Sequence, residues 1–190
     1  MFIQTEATPN PATLKFLPGH PVMETGTADF RDRDSASDSP LANRLFDVPG
    51  VAAVFFGPDF ITVTREEGAS GTAEWQHLKP AILGAIMEHF VSGDPVLGRE
   101  KAGEGGGEEF FEPTDREIVD TIKDLLATRV RPAVSQDGGD ITFRGFRDGI
   151  VYLHMRGSCS GCPSSTATLK YGIQNLLRHF IPEVREVEAV

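Results

Sequence analysis

Ile150-Val-Tyr-Leu-His-Met-Arg-Gly-Ser-Cys-Ser-Gly-Cys-Pro163 passes from a β-prone apolar stretch into a loop of small residues and then to a helix start. Its reading orders the C-terminal half of the chain. Residues 150 to 155 predict a strand. Gly157 permits a tight or left-handed turn, and Pro163 suits the first position of a helix. Leu169, Ile173, Leu176, Leu177 and Phe180 then recur at helical spacing, which predicts an amphipathic helix ended by Pro182. The loop holds Cys159 and Cys162, the only cysteines among 190 residues.

Upstream, residues 141 to 144 predict a partner strand, joined to the first by a turn at Asp148-Gly149. Asp137-Gly-Gly-Asp140 before it reads as a turn with glycine at positive φ rather than as a metal site. Thr114-Asp-Arg-Glu117 has the form of a capping box. Ile118, Ile122, Leu125 and Leu126 continue it as a helix that Pro132 should bend or end. Residues 184 to 190 supply a last edge strand. Residues 113–190 therefore form a domain of order α-β-β-α-β.

Residues 93–112 are rich in glycine and glutamate and poor in core residues, and read as a flexible linker. A phosphate loop is excluded there, because no strand precedes the glycines and no Gly-Lys-Ser/Thr follows. Residues 1–92 make a first domain. Two extended stretches, 1 to 5 and 13 to 17, open it. Ser39-Pro40 predicts an N-cap and first helical residue, and residues 51–56 and 60–64 flank Gly57-Pro-Asp59 as a hairpin. Leu78, Ile82, Leu83, Ile86 and Phe90 mark a closing helix, in which Pro80 is tolerable if the helix begins near Gln76. Asp32, Asp34 and Asp38 belong to a solvated loop, since Ser37 and Asn43 stand where a calcium loop needs glycine and glutamate. The fold class is α+β, with two small α+β domains.

Hydrophobic residues make up 39% and charged residues 24%, as expected of a globular chain, and no apolar run approaches the length of a membrane span. The net charge of -10 lies wholly before residue 113, where 8 Lys+Arg face 18 Asp+Glu. That imbalance argues against nucleic-acid binding, which needs a basic face. Met1-Phe-Ile-Gln-Thr-Glu6 has neither the basic and apolar regions of a secretory signal nor the character of a transit peptide, so a cytoplasmic location is expected.

In that compartment a close thiol pair stays reduced, and three chemistries compete for it. A thioredoxin-like dithiol also places CxxC at a helix start, although the surrounding domain is small for that framework. A zinc ion shared between two chains fits the spacing, and so does an iron-sulfur cluster bridging a homodimer. A packing role is disfavoured because glycine, serine and proline build poor apolar packing. The backbone amides and dipole of the helix start are expected to stabilise thiolates. Arg156 and Lys170 are candidates to neutralise cluster charge and His154 for a supporting contact. No side chain has the setting of a general base or covalent nucleophile, so an enzyme is not expected.

Asp137-Gly-Gly-Asp140, residues 157 to 165, Thr168-Leu-Lys-Tyr-Gly-Ile173 and Ile181-Pro-Glu-Val184 together closely resemble the C-terminal domain of NifU and the Nfu-type iron-sulfur carriers. Residues 4 to 15, Ser39-Pro-Leu-Ala42 and Phe55-Phe-Gly57 resemble the N-terminal domain of many Nfu proteins. The resemblance implies a carrier active in iron-sulfur cluster assembly, binding a [4Fe-4S] cluster through Cys159 and Cys162 across a homodimer; a [2Fe-2S] form stays open. It implies an upstream assembly scaffold as donor and apo-proteins as recipients. It leaves the N-terminal domain without an assigned site.

Overall fold

The computed structural model describes residues 1–67, 74–98, 108–160 and 163–190. The chain divides into two compact units, Met1–Gly105 and Gly106–Val190, both mixing helices with an antiparallel or mixed sheet. The middle of the expected linker, 99–107, and both Gly161 and Cys162 lie outside the described residues.

In the first unit, β1 (Gln4–Ala7), β2 (Thr13–Leu17), β3 (Ala28–Phe30), β4 (Val51–Phe56) and β5 (Ile61–Arg65) form an antiparallel sheet in the order β1-β2-β5-β4-β3. Alternation along the strands sends Phe16, Val54, Phe56, Ile61 and Val63 to one face. There they meet Leu41 and Leu45 of α1 (Pro40–Phe46) and Leu78, Ile82 and Ile86 of α2 (Trp75–Ser92). The Ser39 hydroxyl accepts from the Ala42 amide at 3.1 Å, so the predicted cap forms. Gly57 opens the β4-β5 turn because any Cβ there would stand 2.2 Å from the Phe60 ring. Pro80 is the sixth helical residue, and α2 loses one intrahelical bond to it.

The second unit begins with a 3-10 turn, Pro113–Asp115, followed by α3 (Arg116–Leu125). The capping box does not form. Asp115 is the residue that flanks α3, and no side chain caps it. Of the two outcomes expected at Pro132, the helical run is interrupted but not ended. The backbone widens into a π turn, Leu126–Val130, in which the Arg131 amide reaches Leu126 O, and α4 (Arg131–Gln136) carries on with Pro132 in its first turn. Widening relieves the clash of a proline ring with the carbonyl four residues back.

Next, β6 (Gly139–Arg147) and β7 (Ile150–Gly157) pair antiparallel through a two-residue turn, with φ of +53° at Asp148 and +80° at Gly149, as a type I′ hairpin requires. After α5 (Pro163–Phe180), β8 (Glu186–Ala189) lies parallel to β7 at the sheet edge. Val151, Leu153 and Met155 of β7 face the core beneath Val119, Ile122, Val134, Ile173 and Leu177. Tyr152, His154 and Arg156 take the opposite face, as strand alternation demands. Phe180 is 47% exposed, its ring under the Arg129 guanidinium, rather than on the buried stripe.

Both ends of the expected linker are folded. Gly98 N–H donates to Asp38 O at 2.5 Å and Val96 O accepts from the Ser39 hydroxyl at 2.6 Å, so 93–98 belongs to the first unit. Phe110 lies over Gly145 at a bulge of β6 and exchanges backbone bonds with Arg144 and Phe146. Backbone pairing of this kind depends on distant residues, so composition does not register it.

His89 of α2 is fully buried with no hydrogen-bond partner for either ring nitrogen. Burial holds its imidazole below the ordinary 6.5; Arg44 of α1 pushes the same way and Asp94 opposes. The unfolded chain takes up that proton near 6.5, so the stability contributed by neutral His89 is full above that pH and falls below it. Thermal unfolding of the first unit should weaken from about pH 7 to about pH 5, and His89→Leu should flatten the profile. A parent-like pH dependence in that variant would rule His89 out as the cause.

Candidate functional site

The Cys159 loop is built from two tight turns that meet at the open end of the β6-β7 pair. Gly157, with φ of +67°, turns the chain out of β7, and Gly138, at +81°, turns it from α4 into β6. A side chain would be strained at either place. The turns are tied together by Ser158, itself buried: its amide donates to Gly138 O at 3.2 Å and its hydroxyl to Asp137 O. Ser160 closes its own turn through Gly157 O, which accepts both its amide and its hydroxyl. From the start of α5, the Thr166 hydroxyl donates to Cys159 O at 2.8 Å.

Cys159 is only 7% exposed, and its sulfur packs in the core of the second unit. Gly139, opposite Gly157 in the strand ladder, makes room for it. A Cβ at Gly139 would lie 2.6 Å from Cys159 Sγ and 2.8 Å from Arg156 O, closer than atoms pack. One residue on, Asp140 is 4% exposed and accepts two bonds from Arg131, from Nε at 2.9 Å and from Nη2 at 3.0 Å. The π turn sets Arg131 at the head of α4, facing the start of β6, so the forked pair locks the helical run to the strand that covers Cys159.

Burial pushes the Cys159 thiol up from 9.0 to about 11; the Ser158 hydroxyl, 4.0 Å from the sulfur, opposes the shift and the Asp137 and Asp140 carboxylates reinforce it. This reverses the expected thiolate-stabilising loop at Cys159. The reason is place: the sulfur sits inside the core, where charge is costly, and not at a solvated helix start. Cys162, the second predicted ligand, falls outside the described residues. Among the described residues there is no group of three or more His, Cys, Asp and Glu able to hold a metal ion.

The other candidates separate from the sulfur. Lys170 bridges Glu186 and Glu188 of β8, 3.7 Å from each, and so ties α5 to the sheet. His154 and Arg156 lie on the face of β7 away from the core, opposite Thr142 and Asp140 in register. Residues absent from the sequence-based set, namely Gly139, Ser158 and Arg131, do the seating. Only the doubled glycine of residues 137 to 140 hinted at this, since a turn needs one.

Gly139→Ala should destabilise the second unit by about 1–3 kcal/mol in denaturant unfolding and raise the reactivity of Cys159 toward a thiol reagent in the native protein. Unchanged unfolding and reactivity would show that the close approach is not required.

The descriptions of two known families fit the two halves: "Scaffold protein Nfu/NifU N terminal" matches residues 3–93 and "NifU-like domain" matches residues 122–188. The chain is 54% identical over its whole length to the human "NFU1 iron-sulfur cluster scaffold homolog, mitochondrial", covering 72% of that protein. It is 50% identical over 99% of its length to "NifU-like protein 4, mitochondrial" of Arabidopsis thaliana, covering 65% of it. A solution structure of a NifU-like protein from Saccharomyces cerevisiae aligns with 53% of the chain and 87% of its own, at 26% identity and a TM-score of 0.45. The human and Arabidopsis relatives are named mitochondrial, which overturns the cytoplasmic expectation. The expectation rested on six residues, whereas compartment is an address read by import machinery and not a property of the folded domains. With both halves matched and more than half of the positions shared with the human protein, the chain belongs to the Nfu/NifU family of iron-sulfur cluster scaffold proteins.

Proposed function

We propose that this protein receives an iron-sulfur cluster at Cys159 and Cys162, holds it as [4Fe-4S] between two copies of the chain, and passes it to apo-proteins. The observation that carries the proposal is the seat of Cys159: a sulfur gripped by the Asp137–Asp140 turn, in a chain with one other thiol. Two thiolates are half the ligand set of a four-iron cluster, so a second copy supplies the rest.

The raised thiol supports a cargo site over a dithiol enzyme. An attacking thiol needs its thiolate near neutral pH, and burial, which pushes Cys159 up to about 11, works against that. A metal ligand has no such need, because binding iron drives the proton off. The same setting favours release: once the cluster leaves, Cys159 regains its proton in a buried site where Asp137 and Asp140 disfavour negative charge. Transfer then proceeds by ligand exchange, a recipient thiolate bonding to an iron as Cys159 or Cys162 leaves it and is protonated.

The first unit carries much of the negative charge and serves to recognise donor or recipient proteins. A mitochondrial setting follows the relatives' names. A zinc-bridged module is the alternative that the metal content decides.

Anaerobic reconstitution with ferrous iron and sulfide should yield a dimer with about two irons and two sulfides per chain. Cys159→Ser and Cys162→Ser should each abolish stable loading, and normal loading in either variant would sink the proposal. Because loading must expel the Cys159 proton, apparent affinity should rise as pH is raised from about 7 to about 9, by up to about tenfold per unit for each proton released. A flat or falling profile would contradict a protonated resting thiol.

A further inference from the structure

We infer that the outward face of α5, formed by Ser164, Ala167, Thr168, Tyr171, Gly172 and Asn175, is the surface on which a second copy of the chain docks. The inference presupposes the shared cluster proposed for Cys159 and Cys162, and deepens it by naming the contact that brings two half-sites together.

The face begins beside the loop, since Pro163 opens α5 directly after Cys162. From Pro163 to Asn175 it extends about 18 Å at 1.5 Å per residue. If both α5 helices start at one cluster, their outward faces can meet along their length only when the helices run side by side and parallel, about a two-fold axis through the cluster. Each residue then faces its own copy. A charged side chain on such a face meets the same charge and is repelled, so a self-docking face must be uncharged.

That is what α5 presents as far as Asn175, one turn before Arg178. None of the residues 158 to 169 is charged, although charged residues make up 24% of the chain, and the face stays uncharged through Tyr171, Gly172 and Asn175. The first cation, Lys170, is turned aside to Glu186 and Glu188. Thr168 spends its hydroxyl on Ser164 O at 3.0 Å, which leaves its methyl group for contact.

Two residues of this face are not used by the packing of the second unit. Tyr171 is 64% exposed, a large aromatic ring in water on a regular helix. Gly172 lies in the interior of α5, where glycine weakens a helix, yet a Cβ there would meet nothing within 4 Å. The chain's own packing does not require it. A second helix does: glycine flanked at four-residue spacing by Thr168 and Ser164 lets two backbones approach closely, and the tyrosine beside it supplies the kind of anchor that dominates interfaces.

The test places opposite charges, one at a time, at a single position in the full chain. Tyr171→Glu and Tyr171→Lys change an exposed residue, so both apo-proteins should unfold like the parent. After anaerobic reconstitution with ferrous iron and sulfide, native mass and iron content should show the parent as a loaded dimer. Either variant alone should show at least about a tenfold loss of dimer at equal concentration, from like charges brought face to face. An equimolar mixture of the two should recover a loaded heterodimer, which general damage to the site would not do. A loaded dimer in Tyr171→Glu alone, or no recovery on mixing, overturns the α5 interface while leaving the shared cluster intact. A parent that loads as a monomer, or takes up no iron, overturns the shared cluster and the interface with it.

Discussion

The close approach of Gly139 to the sulfur of Cys159 is the constraint around which the second unit is arranged. A sulfur can enter the core at the mouth of a strand pair only if the strand over it lacks a side chain, and Gly139 provides the gap. The surrounding contacts hold that gap in place. Gly138 takes the positive φ that brings β6 over the sulfur, Ser158 bonds back to Asp137 and Gly138, and Arg131 anchors Asp140 from the neighbouring helix. Even the π turn has a place in this arrangement, because it accommodates Pro132 while setting Arg131 opposite β6.

A buried thiol is an unusual choice for a nucleophile and a sensible one for a cargo site. In the proposed role, iron supplies the driving force to remove the proton, and the apolar surroundings then shield the bound sulfur from competing water. When the metal leaves, those surroundings favour the neutral thiol again. In the proposed role, retention and release depend on one feature, the burial of Cys159, rather than on separate devices.

Much of the fold was legible because its signals are local. Ser39-Pro40 caps a helix through its own hydroxyl, Asp148-Gly149 permits its turn through the backbone freedom of two residues, and the helical spacing of Leu78, Ile82 and Ile86 repeats within three turns. The departures share a different cause. Ala28–Phe30 is too short to show a period and is a strand only because β4 pairs with it. Thr114 and Glu117 match a capping box, but a 3-10 turn starts the helix first. Residues 93–98 and 110–112 look like linker and are held by partners far away in sequence.

The amino-acid sequence by itself determined a two-part α+β chain in which two thiols, flanked by small residues and a helix-starting proline, share one loop. Ligand type, spacing and turn residues are chemical facts that survive without a fold. Only the tertiary structure decided the state of the thiol and the identity of its supports. Strands and helices distant in sequence bury Cys159 and push its thiol up, and Gly139, Ser158 and Arg131 matter because folding brings them to one loop. Burial and close approach are properties of assembled elements, and no local pattern of residues encodes them.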